Sequence, residues 1–274
     1  MTDEKQKLNK FNWYPGHIAK AERQLKEKLK IIDIVIELRD ARIPEASRHK
    51  DLKEWSNTKT IITVLNKADL SSVNKDYISI NSKDRSSLKR IISEIEKAAK
   101  PLEAKYLAKG IINRPARVMV VGYPNVGKSS LINALAQNKK TKVADKAGVT
   151  RQQQWVDVKS KLNIKLLDTP GIIPAKFYSE DQALKLALCN CLGDNAYDHI
   201  LVAREGIKLI ESLYPGLIVK YYKIDDQAAN DDSLLEQIAL KKTHLRDGQP
   251  DVDRTANAFL KDFREAKLGK ISLE

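Results

Sequence analysis

The 274-residue chain is most informative first in what it lacks. No run approaches the roughly 18 apolar residues of a membrane-spanning helix, so no membrane role of that kind is expected. The opening MTDEKQKLNK has no apolar core segment, so no secretory signal is expected either. Cysteine is scarce: Cys189 and Cys191 are the only two, spaced two apart. On a helix, which the local composition predicts, they diverge by about 200° and share neither a metal nor a bond. They are expected to be small buried apolar groups, and together these absences point to a reducing, cytoplasmic compartment. There is no internal repeat, no low-complexity segment and no aromatic-rich motif for single strands. A nucleic-acid partner is therefore expected to be structured RNA recognised by shape and phosphates.

What is abundant is positive charge. Lys and Arg total 49 against 36 Asp and Glu, a net +13. Such a chain commonly meets polyanions, nucleic acid first, although a generally basic surface gives the same sum. The excess is concentrated. Residues 137–165 hold eight Lys or Arg against two Asp, with Lys139, Lys140, Lys142, Lys146 and Arg151 in one loop. A second group, Lys241, Lys242, Arg246, Arg254, Lys261, Arg264, Lys267 and Lys270, is interleaved with acids. Fewer than half of these are expected to touch RNA.

Periodicity divides the chain in two. Residues 16–30 carry Ile18, Ala21, Leu25 and Leu29 at helical spacing. Short β-branched runs follow at 31–38, 60–66, 77–81 and 116–122, with two more at 153–159 and 163–168 joined through Ser160-Lys161. Helical stretches intervene at 84–100, ended by Pro101, and from Lys128 to about Gln137. Strand alternating with helix predicts an α/β fold, a mostly parallel sheet with helices on both faces. After about Phe177 strands nearly vanish, and helices are expected at 179–192, 198–213, 231–242 and 251–266. The expected units are 1–177, with an N-terminal helical extension, and a smaller all-helical 178–274.

Three motifs carry chemistry. GYPNVGKSS (122–130) follows a strand, opens a helix and fits the phosphate-loop pattern. Gly122 and Gly127 let the backbone turn its N–H groups inward. Asn125, Val126, Gly127, Lys128, Ser129 and Ser130 are the candidates to hold a nucleotide's phosphates, with Lys128 reaching the β- and γ-phosphates and Ser129 binding Mg²⁺. DTPG (168–171) ends a strand about 40 residues later. There Asp168 is placed to hold Mg²⁺ and the Gly171 N–H to meet the γ-phosphate. Thr150, between them, is placed to complete the Mg²⁺ shell. NKAD (66–69) ends the strand TIITVLN. A carboxylate at Asp69 accepts both donors of guanine N1 and N2. Asn66 either bonds the other edge of the base or braces the phosphate loop, the Lys67 stem lies across the ring, and Ser82 and Lys83 of INSKD back up the base. A metabolic P-loop kinase has no need of NKAD and DTPG. The expected ligands are GTP or GDP with Mg²⁺.

These motifs resemble the GTPase superfamily in permuted order: NKAD precedes the phosphate loop, and Thr150 and DTPG follow it. Neighbouring domain termini make such a permutation tolerable. It runs the segment after DTPG straight into the helical unit, so loss of the γ-phosphate can be passed on. With NWYPGHIAKA (12–21), DARIP (40–44), GVTRQQQW (148–155), LLDTPGI (166–172) and FREAKLGKISLE (263–274), the order is similar to that of the YlqF/RbgA family. The resemblance covers nearly the whole chain. It implies a cytoplasmic GTPase that assembles the large ribosomal subunit, binds its rRNA and leaves after GTP hydrolysis, acting as a monomer. The alternative is a GTP switch on another RNA or the small subunit, with little turnover of its own. INSKDRSS lacks the glycines expected after INS, and IPAKF lacks the expected tryptophan.

One catalytic group is missing from its usual place. Many GTPases orient the attacking water with a Gln after D-x-x-G; here the residue is Ile172. Either a partner completes a site that is slow alone, or a distant side chain swings in. The resemblance assigns that role to His17 of NWYPGH, although a histidine after a turn also serves local structure. The resemblance further implies that Asn125 ligates K⁺ beside the phosphates.

Overall fold

The structure, a computed structural model, describes residues 23, 25–72, 77–136, 155–167, 179–224 and 233–274. Its centre is a six-stranded sheet: β1 (Ile34–Asp40), β2 (Thr60–Asn66), β3 (Ile78–Ser79), β4 (Ala116–Val121), β5 (Trp155–Asp157) and β6 (Ile164–Leu167), in the order β3-β2-β1-β4-β6-β5. All neighbours are parallel except β5, which pairs antiparallel with β6 as the short link at Ser160-Lys161 predicts. Strands covered on both faces read as continuous apolar runs, and β1 is buried at every position.

Alternation along the strands fills two apolar layers. Ile34, Ile36 and Leu38 face one side with Val64, Val118 and Val120. They meet Leu88, Ile91 and Ile95 of α2 (Arg85–Leu107) and Leu131, Ile132 and Leu135 of α3 (Lys128–Leu135). Val35, Met119, Val121 and Leu167 face the other side. Leu25 and Leu29 from the helical residues 25–29 cover them, with Leu52 and Trp55 of α1 (Leu52–Ser56).

The helical stretch expected to stop at Pro101 does not. α2 runs through it to Leu107. Proline removes one N–H and one backbone bond. Pro101 is exposed, so water can serve the carbonyl left over, while Leu102 beyond it still packs on the core.

Among the described residues the remaining α-helices are α4 (Glu180–Leu188), α5 (His199–Leu213), α6 (Leu217–Tyr222), α7 (Leu234–Lys241) and α8 (Val252–Arg264). Side chains cap three of their N-termini: Ser179 accepts from the N–H of Gln182, Asp198 from Ile200 and Leu201, and Asp251 from Arg254. β7 (Leu245–Arg246) and β8 (Gln249–Pro250) form a hairpin through Asp247-Gly248, both at positive φ. One apolar core is continuous from Ile34 in the sheet to Leu186, Ile210 and Phe259 in the helices.

The cysteines need one correction. α4 ends at Leu188, so Cys189 and Cys191 lie past the helix and the divergence expected on it does not apply. Both are free and buried, and burial pushes the Cys191 thiol up to about 11. They are apolar filling, as expected.

Candidate functional site

The C-terminal edge of the sheet gathers the motifs. β4 ends at Val121, α3 starts at Lys128, and the loop between them is drawn against neighbouring strands. A Cβ on Gly122 would sit 2.3 Å from the Leu38 carbonyl oxygen, so only glycine fits. Gly127, at φ +100°, lies so near Asn66 that a Cβ would be 2.2 Å from its Nδ2. Buried Tyr123 and Val126 anchor the loop from within. Lys128 is buried too, its Nζ donating to the Tyr123 carbonyl at 2.7 Å. The ammonium is thus folded back over its own loop, beside the half-buried Ser129 and Ser130.

The second loop follows β2. Of the two tasks open to Asn66, its geometry is that of a brace. Its Nδ2 donates to the Val126 carbonyl at 2.8 Å, and its Oδ1 accepts from the Ser82 N–H at 3.0 Å. One buried amide therefore fixes the phosphate loop and the INSKD loop together. Lys67 adopts a left-handed conformation, φ 61°, and its Nζ meets Asp40 Oδ2 at 2.9 Å. Asp69 follows in a 3₁₀ turn, exposed at the cleft.

Asp40 was not singled out as a site residue from the sequence. It ends β1 directly beside Asn66 in the parallel register and is fully buried. Arg42 grips it from two sides, Nε to Oδ1 at 2.9 Å and Nη2 to Oδ2 at 2.8 Å. Burial alone would raise its pKa, but the Arg42 and Lys67 charges hold the carboxyl well below the usual range. The available signal was D-x-R at the end of a strand that neighbours NKAD.

The helices supply the third wall. A cleft of about 580 Å³ is lined by Asn66, Lys67, Asp69, Ser82 and Lys83 from the NKAD and INSKD loops and by Asn125, Gly127, Lys128, Ser129 and Ser130 from the phosphate loop and the start of α3. Cys189, Asn190, Arg264 and Glu265 close it. Asn125, at φ 54°, donates from Nδ2 to the Asn190 carbonyl at 2.9 Å. Arg264 caps α4 by donating to the carbonyls of Ala187 and Leu188, each at 3.0 Å, and so fixes the turn that carries Asn190. No spacing in the sequence pointed to this wall, because it is assembled by tertiary packing.

The cleft suits a nucleotide. Lys67, Lys83, Lys128, Arg42 and Arg264 outnumber the acids Asp69 and Glu265 around it. Two buried polar atoms on its lining residues, Arg42 Nη1 and Asn190 Oδ1, have no partner among the described residues. His17, Thr150, Asp168, Gly171 and Ile172 lie outside the described residues.

A parallel sheet with a phosphate loop after one strand and an N-K-x-D loop two strands away defines a P-loop GTPase, here with its motifs in permuted order. The comparisons agree. A family profile described as "50S ribosome-binding GTPase" matches residues 117–238. Ribosome biogenesis GTPase A of Bacillus pumilus is 38% identical, covering 96% of this chain and 98% of that protein. Its counterpart from Thermotoga maritima is 32% identical, covering 96% and 94%. The crystal structure of GNP-bound YlqF from T. maritima superposes with a TM-score of 0.63 at 26% identity, covering 93% of this chain and 97% of that one. The chain belongs to the YlqF/RbgA family of ribosome biogenesis GTPases, and it is a GTP hydrolase.

Proposed function

We propose that this GTPase assembles the large ribosomal subunit in the cytoplasm, binding rRNA as a monomer and leaving after it hydrolyses GTP. The observation that carries this is the shared wall of the cleft: Asn125 of the phosphate loop is hydrogen-bonded to Asn190 of the helical part. A change at the phosphates thereby reaches helices that carry exposed lysines and arginines interleaved with acids. Lys241, Arg246, Arg254, Lys261 and Lys270 are exposed there and suited to phosphates. Arg264 and Lys267 are committed elsewhere, the first to the α4 carbonyls and the second to Asp262 and Glu265. We treat 1–177 as the nucleotide unit and 178–274 as the RNA unit.

Within the cleft, Asp69 reads guanine, Lys67 supports the ring, and Ser82 and Lys83 back it. The N–H groups from Asn125 to Ser130 take the phosphates, and Lys128 exchanges the Tyr123 carbonyl for phosphate oxygens. Ser129, Thr150 and Asp168 would hold Mg²⁺, whose charge offsets that of the phosphates. The Gly171 N–H meets the γ-phosphate, His17 orients the attacking water, and Asn125 would ligate a K⁺ whose charge would offset that of the phosphates. Sedimentation with purified subunits tests the assignment. Co-migration with the large subunit under a non-hydrolysable GTP analogue, and release with GDP, is expected. Co-migration with the small subunit, or equal binding in both states, would overturn it.

A further inference from the structure

Residues 271–274 belong to no helix or strand, yet they are tied to both loops of the guanine end of the cleft. The Ile271 N–H reaches the Leu70 carbonyl at 3.4 Å, and Leu70 directly follows Asp69. The Leu273 N–H donates to the Arg42 carbonyl at 2.9 Å, and Arg42 grips Asp40, which holds Lys67. The Glu274 carboxylate accepts from the N–H of Glu45 at 2.6 Å and of Ala46 at 2.9 Å, at the far end of the same loop. Ile271 and Leu273 are buried as alternate residues. Ser272 between them is held from the other side: the Tyr214 hydroxyl donates to its carbonyl at 2.9 Å. Phe263 of α8 lies under the Arg42 guanidinium, 5.4 Å from ring centre to Cζ. None of these contacts involves the phosphate loop.

We propose that segment 271–274 is a positioning element for guanine binding. By fixing Leu70 and Arg42 it holds Asp69 and Lys67 ready for the base, so the helical part governs how fast a guanine nucleotide leaves. A preorganised loop binds more tightly than one that must be ordered on binding. Undocking the segment loosens the base end and leaves the phosphate end intact. This rests on Asp69 reading the base, so the experiment controls for that separately.

The test uses the full chain and stopped-flow displacement of fluorescent GDP. Glu274→Ala, which removes the acceptor of the Glu45 and Ala46 N–H groups, is expected to raise the off-rate about tenfold through lost preorganisation of the loop. KM for GTP rises in step, while kcat at saturating GTP is unchanged. Glu274→Gln, which keeps one carbonyl acceptor, falls between. Inorganic triphosphate, which has no base, competes equally well against wild type and variant. Should Glu274→Ala fold poorly, Ser272→Pro breaks the same docking by a different route and is read identically. An unchanged off-rate in folded variants, or an equal loss of triphosphate binding, overturns the proposal. An Asp69→Asn control that fails to shift preference toward xanthine nucleotides removes its premise instead.

Discussion

Asn66 and Val126, sixty residues apart in the chain, are joined by a 2.8 Å hydrogen bond from the asparagine Nδ2 to the valine carbonyl. That bond spans β1, the strand between the base loop and the phosphate loop. It ties the loop after β2 to the phosphate loop. Because the Asn66 Oδ1 is taken by the Ser82 N–H, the amide has little left with which to read a base.

Replacing Asn66 with Ala therefore acts on both loops at once. It leaves the Val126 carbonyl and the Ser82 N–H without their partner, a loss of about 1–3 kcal/mol for buried groups. Fluorescent GDP should bind roughly ten- to a hundredfold more weakly. An unchanged dissociation constant in a folded variant would show that the loops hold without the brace.

Asp40→Asn removes the one negative charge between Arg42 and Lys67. Breaking a buried pair of this kind costs about 3–5 kcal/mol. The pH dependence has a definite sign. The folded pKa of Asp40 is depressed, so its contribution is fully present above the unfolded value of about 3.9 and fades as pH falls below it. Thermal melts of wild type and variant should keep a constant gap from pH 7 down to about 5 and converge at more acid pH. A gap that closes near neutrality would contradict the pairing.

With its Nδ2 held by Asn190, the Asn125 side chain has its Oδ1 as the group to offer a cation. GTP turnover should be faster in potassium chloride than in sodium chloride at equal ionic strength, and Asn125→Ala should abolish the difference. Equal rates in the two salts would remove K⁺ from the account.

His17→Ala should bind GTP normally yet lose about a hundredfold in subunit-stimulated turnover, the usual scale for a group that handles water or protons. Full turnover in that variant would return NWYPGH to a structural role.

The legible parts of the sequence were those where a backbone conformation dictates a residue type. Gly122 and Gly127 are required by close approach to Leu38 and Asn66, and β-branched runs are required by a sheet buried on both faces. The phosphate loop and NKAD were therefore visible, as was their permuted order. Pro101 misled because propensity is local, whereas α2 is held beyond it by Leu102 on the core. The α6 turn and the β7–β8 hairpin are too short to leave a periodic signal. Asn190 and Glu274 were silent as site residues, and Arg264 was visible only as one basic residue among many, because long-range packing brings them to the cleft and its supports.

The central claim is that Asp69, exposed on the lining of a cleft braced by Asn66, makes this site one for guanine. The most direct measurement is competition of GTP, XTP and ATP against fluorescent GDP, for the unmodified protein and for Asp69→Asn. GTP should win by a wide margin in the first, with ATP ineffective, and XTP should win in the second. Effective competition by ATP in the unmodified protein, or no swap toward XTP in the variant, would contradict it.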